Sequence, residues 1–255
     1  MVSRVERDYH DKYASRFEER KLARYLRDYL SDPLWKEILP LFRGKDVLEI
    51  GCGMGFDSVT LASLGYHVRA IDISPTSIDR ARRLASLVQV TNHCSFEVVD
   101  LNDSTISGSY DMIFGRAVLH HLTVRPLQET LSILRSTLND DGRMLFVEPL
   151  DSNPVVQLNR KVLDVEERTP TEKPLGLWPT IRAFEAASLS VKHREYYLTA
   201  TLAHFFRNVL KNRPMFWSSQ KALQSIDSVL MDSFWPLESF AWISLLVAQK
   251  EGWHG

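Results

Sequence analysis

The chain has 255 residues, 44% hydrophobic and 25% charged, which is the make-up of an ordinary folded protein with one extended α/β domain or two small ones. A formal net charge of −1 provides no global field toward nucleic acid or an anionic membrane. Two cysteines, Cys52 and Cys94, cannot build a disulfide framework, no run approaches the ~20 apolar residues of a membrane span, and the charged N-terminus has no signal-peptide core, so a cytoplasmic protein is expected.

In chain order, residues 8 to 42 read as helical. Leu22, Leu26, Tyr29 and Leu30 share one face, and Ser31-Asp32-Pro33 breaks that helix and starts another. Asp46–Ile50 is the first strand, and Phe56 to Leu64 is a helix ending at Gly65. His67–Ile71 is the second strand. Ser74-Pro75 opens the next helix as N-cap and first-turn proline, with Ile78, Ala81, Leu84, Ala85 and Val88 as its apolar face. Ser95–Val99 and Met112–Gly115 follow as strands three and four. Leu127, Leu131, Leu134 and Leu138 recur at helical spacing, and Asp140-Asp141-Gly142 turns into strand five, Met144–Val147.

After Pro149 a charged, proline-bearing stretch to 176 reads as loop, then Trp178–Ala187 as helix and Ser190–Leu198 as strand six. Two helices, around Leu202–Leu210 and Gln220–Phe234, precede a last strand at 241–249. This alternation predicts an α/β fold, a Rossmann-like seven-stranded mostly parallel sheet with helices on both faces, an N-terminal helical extension and a helical insertion before the last strand. The units expected are 1–42, a helical segment or lid; 43–150, the core; and 151–255, a half that completes the sheet, with its insertion around 199–238.

Chemistry concentrates in Val47 to Gly55, Val-Leu-Glu-Ile-Gly-Cys-Gly-Met-Gly. Glycines after a strand let the backbone turn and approach a ligand, and the following helix start offers N–H groups. The dinucleotide fingerprint Gly-x-Gly-x-x-Gly would place its third glycine on Phe56, so this spacing disfavours it. The Glu-x-Gly-x-Gly-x-Gly order resembles the first motif of class I S-adenosylmethionine-dependent methyltransferases. That resemblance implies S-adenosylmethionine as cofactor, bound by core 43–150. Gly51, Cys52, Gly53 and Gly55 form its loop. Asp72, with Ile73, lies at the ribose and Asp100, with Leu101, at the adenine. Glu49 either orients the loop or meets the methionine ammonium group, and Arg116 lies by the methionine carboxylate, by the acceptor or at the surface. Near the N-terminus, Tyr9, His10, Tyr13, Arg16 and Phe17 would fold over the cofactor, Tyr13 offering a ring to the sulfonium.

Strand four runs into Phe114-Gly115-Arg116-Ala117-Val118-Leu119-His120-His121-Leu122. A histidine pair here resembles that of natural-product sugar and small-molecule O-methyltransferases, where it acts with an acid ending strand five; Glu148 matches that acid. The resemblance implies His120, His121 and Glu148 as catalytic residues, with His120 preferred as base and His121 on the cofactor side. The reaction expected is methylation of a hydroxyl on a small-molecule acceptor. The competing readings are a cofactor-binding protein without methyl transfer and a nicotinamide-dependent oxidoreductase.

No Asn/Asp-Pro-Pro-aromatic motif for nucleic-acid bases follows strand four, and no Cys/His cluster has zinc spacing, so neither a nucleic-acid partner nor a metal is expected. The aromatic-rich tail (His204, Phe205, Phe206, Phe216, Trp217, Phe234, Trp235) reads as pocket wall, core or subunit contact, which leaves room for a homodimer.

Overall fold

The computed structural model describes residues 2–18, 21–22, 26, 34–154, 156–157, 169, 175–203, 213–233 and 235–251. Helix α1 spans Val2–Ser15 and the short α2 Leu34–Ile38, ahead of strand β1, Asp46–Ile50. Then come α3 (Phe56–Ser63), β2 (His67–Asp72), α4 (Pro75–Val88), β3 (Cys94–Val98) and β4 (Tyr110–Arg116). Helix α5 (Leu127–Thr137), β5 (Leu138–Pro149), α6 (Leu177–Ala186), β6 (Leu189–Tyr196), α7 (Arg213–Ser233) and β7 (Ile243–Lys250) complete the chain.

The seven strands form one sheet in the order β3-β2-β1-β4-β5-β7-β6. β7 runs antiparallel to both neighbours, and the other pairings are parallel. Strand side chains alternate between faces. Val47, Phe114 and Leu145 pack on one side with Trp35, Val59 and Ile78, while Leu48, Ile113 and Phe146 pack on the other with Leu131 and Phe184. Both faces are therefore dry and helix-covered, as a parallel sheet requires. The order reverses between β1 and β4, and ligands bind beyond the strand ends at such a switch.

Local signals set most boundaries. The Ser74 hydroxyl accepts the Ser77 N–H at 3.0 Å and Pro75 occupies the first turn of α4, the expected cap. Two expectations need correction. Helix α1 begins at Val2 rather than near residue 8, which brings Glu6 into it. Asp140-Asp141-Gly142 is no turn before β5: the strand starts at Leu138, with Tyr110 paired to Leu138 but Met112 to Arg143, so the extra residues bulge out. Asp111 pins the bulge, one oxygen accepting the Asn139 side chain at 2.8 Å and the other the Lys45 and Asp46 N–H groups at 2.8 and 3.1 Å.

Leu22 is buried and Leu26 packs on the same core, whereas Tyr29, Leu30 and the breaker at 31–33 lie outside the described residues. So do 204–210, Phe234 and the side chains of Phe216, Trp217 and Trp235. Ala200–Ala203 is a 3₁₀ turn, and the helix expected from Gln220 starts at Arg213. Among the described residues no helix is long and apolar enough to cross a membrane.

Gly115 shows how tightly β4 is packed. A Cβ there would stand 2.7 Å from Val118 Cγ1 and 3.1 Å from both Ile50 and Phe146. Gly115→Ala should therefore cost about 1–3 kcal/mol of stability in urea unfolding, as overpacking does; an unchanged midpoint would show that the turn after β4 yields freely.

Candidate functional site

A cleft opens at the carboxyl ends of β1, β2, β3 and β4, lined by Gly51, Asp72, Ile73, Asp100, Leu101, Ala117 and His121 among others. The loop after β1 builds its floor. Gly51 has φ +65°, and a Cβ on it would lie 2.4 Å from Val118 Cγ2; Gly55, the N-cap of α3, has φ +77° and would strike Ala81 at 2.7 Å. These two positions demand glycine. A Cβ on Gly53 would meet nothing within 4 Å, so this loop leaves open space at its centre, where a ligand can approach backbone.

Asp72 ends β2 and ties the loop to it. Its two oxygens accept the Gly53 and Ser74 N–H groups, each at 2.8 Å. Burial pushes its carboxyl above the usual carboxylate range, opposed by those N–H groups and by the His10 and His121 imidazoles. Asp100 lines the cleft beside Leu101 and also makes a turn, one oxygen accepting the Asn102 N–H at 2.9 Å and the Asn102 side chain at 3.1 Å.

Other expected residues sit beneath the loop, away from the cleft lining. Glu49 is buried and accepts the Ser58 hydroxyl of α3; burial and the nearby Asp57 charge hold it well above the usual range. Arg116 lies 3.4 Å from Asp57 and over the Trp35 ring at 5.2 Å. Cys52, within the loop itself, is buried, and burial together with the Asp72 and Glu49 charges pushes its thiol well up.

The turn after β4 carries the histidines. Ala117, at φ +53°, is a non-glycine residue in the left-handed region, a strain of about 1–3 kcal/mol that sites tend to hold. Glu148, fully buried at the end of β5, fixes this turn: one oxygen accepts the Val118 and Leu119 N–H groups at 2.8 and 2.9 Å, the other faces His120 Nδ1 at 2.9 Å. The sequence preference had His120 at the acceptor. Its buried ring borders a neighbouring hollow lined by Thr123, Arg125 and Leu175. Of the adjacent pair it is His121 that lines the cleft, its ring 4.0 Å from that of His120.

Helix α1 adds Glu6, which sequence reading missed, to His10, which it had named. Glu6 and His10, one turn apart on one face, both line the cleft. Glu6 Oε2 is 3.1 Å from His121 Nδ1 and 3.6 Å from His10 Nε2, and its Oε1 accepts the Thr169 hydroxyl at 2.8 Å. Asp11 docks the same helix on the start of α4, accepting the Ser74 hydroxyl at 2.5 Å and the Thr76 N–H at 2.9 Å. Tyr13 lies one turn further on, its ring against Phe17 at 5.2 Å, and does not line the cleft.

His10 makes this docking sensitive to pH. Burial lowers its pKa, but the Glu6 carboxylate 3.6 Å away and the Asp72 and Asp11 charges outweigh it, and the net shift is upward from 6.5. A raised histidine stabilises the fold fully below the unfolded value, and that contribution is lost as pH rises through the folded value. The melting-temperature gap between the wild type and His10→Gln should thus be widest near pH 6 and close above neutrality; a gap that widens with pH would contradict the docking role.

Residues 41–178, more than half of the chain, match the family model described as Methyltransferase domain. The mitochondrial ubiquinone biosynthesis O-methyltransferase of Schizosaccharomyces pombe is 33% identical over 41% of this chain and 38% of its own length. Its counterpart in Xanthomonas campestris pv. campestris is 33% identical over 44% of this chain and 45% of its own. Each match thus spans less than half the length of the relative. The solved DhpI–SAH complex superposes with a TM-score of 0.63 at 16% identity, covering 99% of this chain and 98% of that one. With a glycine cradle open to a ligand and two strand-end carboxylates in one cleft, this chain belongs to the methyltransferase-domain family and has the class I S-adenosylmethionine-dependent fold.

Proposed function

We propose that this enzyme methylates a hydroxyl group of a small-molecule acceptor, and that the acceptor meets the methyl group beside His121. When bound, S-adenosylmethionine supplies an electrophilic methyl. The chain's own task is to hold the two reactants in line and take the hydroxyl proton. Asp72 and Asp100 would hold the ribose and the adenine. The observation that carries the reading is the Glu6–His121 pair in the cofactor cleft. The Glu6 carboxylate 3.1 Å from Nδ1 favours the proton on that nitrogen electrostatically, which leaves the Nε2 lone pair to accept another. Glu148 and His120 act as positioning residues, since they hold the turn that carries His121. The O-methyltransferase names of the two relatives support a hydroxyl acceptor, and Glu6 and His10 in the cleft lining support a lid role for α1.

The test is to give the purified chain S-adenosylmethionine with panels of hydroxylated, amino and thiol small molecules. S-adenosylhomocysteine should accumulate in step with a methyl ether. Accumulation with amines or thiols alone would overturn the hydroxyl assignment, and none at all with any acceptor would favour a chain that binds the cofactor without methyl transfer.

A further inference from the structure

We infer that Glu6, His10 and His121 form a binding site for a divalent transition-metal ion of the Zn²⁺ type, open toward the cofactor cleft. One ligand atom from each lies within 4.8 Å of the other two. The spacings that fix the geometry are 3.1 Å from Glu6 Oε2 to His121 Nδ1 and 3.6 Å from the same oxygen to His10 Nε2. Tetrahedral ligands at about 2.0–2.1 Å from an ion are about 3.3 Å apart, so the two spacings from Glu6 depart from that by only a few tenths of an ångström, while the two histidine nitrogens lie within 4.8 Å of each other. Two imidazoles and a carboxylate suit first-row transition ions rather than Mg²⁺ or Ca²⁺, which prefer oxygen shells.

The surroundings resemble those of a working metal site. Thr169 donates to Glu6 Oε1 and so turns Oε2 toward both histidines, and the Glu148–His120 pair backs the His121 ring. Partners of this kind orient metal ligands. Asp72 and Asp100 in the same cleft add negative charge that favours a cation. Three protein ligands leave a position for water or substrate, as in catalytic zinc sites, and here that position faces the cleft.

Bound there, the ion ties α1 to the turn after β4. It would also occupy His121 Nδ1, so that the single proton of the neutral imidazole sits on Nε2 instead. In this state coordination to the ion would lower the pKa of a hydroxyl acceptor, which would lose its proton to solvent water rather than to His121. Binding stands on the geometry alone; this chemical use rests on the proposed hydroxyl acceptor.

The experiment is calorimetric titration of the chelator-treated chain with Zn²⁺, backed by the visible absorption of Co²⁺. One ion per chain should bind, with a Kd at or below the micromolar range. Glu6→Gln and His10→Ala should each weaken it at least tenfold. His193→Ala should not, although His193, Glu195 and Glu238 form the other such cluster among the described residues. S-adenosylhomocysteine affinity, read in parallel, separates a lost metal site from a lost cofactor cleft. No binding below about 100 μM, or binding insensitive to Glu6→Gln and His10→Ala, would overturn the site.

Discussion

Replacing His121 by alanine is expected to lower turnover at least 100-fold while S-adenosylmethionine affinity stays within a few-fold. General-base assistance is typically worth about 10²–10⁴ in rate, and of the adjacent pair it is His121 that lines the cleft, with a buried carboxylate oxygen 3.1 Å from its Nδ1. The same substitution at His120 should cost less in turnover and more in stability. Its ring faces Glu148, which also holds two backbone N–H groups of the turn, so removing it strands part of a buried carboxylate. Steady-state kinetics beside urea unfolding separates the two. If His120→Ala proves the crippled enzyme and His121→Ala a near-normal one, the sequence preference for His120 was right and the cleft geometry misleads.

Asp72→Ala is expected to weaken cofactor binding at least 100-fold without unfolding the sheet. Hydrogen bonds to a charged acceptor are worth about 1.5–3 kcal/mol each, so two lost ribose contacts would reach that figure. The loop adds to the loss, because Asp72 holds the Gly53 N–H at 2.8 Å and the cradle slackens without it. Asp72→Asn, which keeps one accepting oxygen and the shape, should fall between. Calorimetry with S-adenosylhomocysteine reads both, and wild-type affinity in Asp72→Ala would remove this carboxylate from the site.

What could be read in the sequence is what local chemistry encodes. The glycine spacing after β1, the acids ending β2 and following β3, and the Ser74-Pro75 cap each act within a few residues, and each lies where the pattern put it. Glu148 was legible as the acid of β5. Its grip on the Val118 and Leu119 N–H groups was not, because that depends on pairing with β4. The bulge in β5 was hidden for the same reason: Asp-Asp-Gly reads as a turn until Asp111, far away in sequence, captures Asn139.

Glu6 and Thr169 were missed altogether. Starting α1 near residue 8 discarded Glu6, and its only sequence signal was its one-turn spacing from His10. Nothing local to Thr169 points at either. No metal was expected because Glu6 and His10 lie far from His121 in sequence, and motif spacing sees only neighbours; docking of α1 on α4 through Asp11 is what joins them.

The central claim is that the methyl group is handed over beside His121, in the cleft walled by α1. A structure of the chain with S-adenosylhomocysteine bound tests it most directly. The account predicts the ribose on Asp72, the adenine beside Asp100, and the sulfur on the Ala117–His121 side, facing the imidazole and Glu6. A sulfur turned away from His121, toward Arg116 and Trp35 or toward bulk solvent, would contradict it.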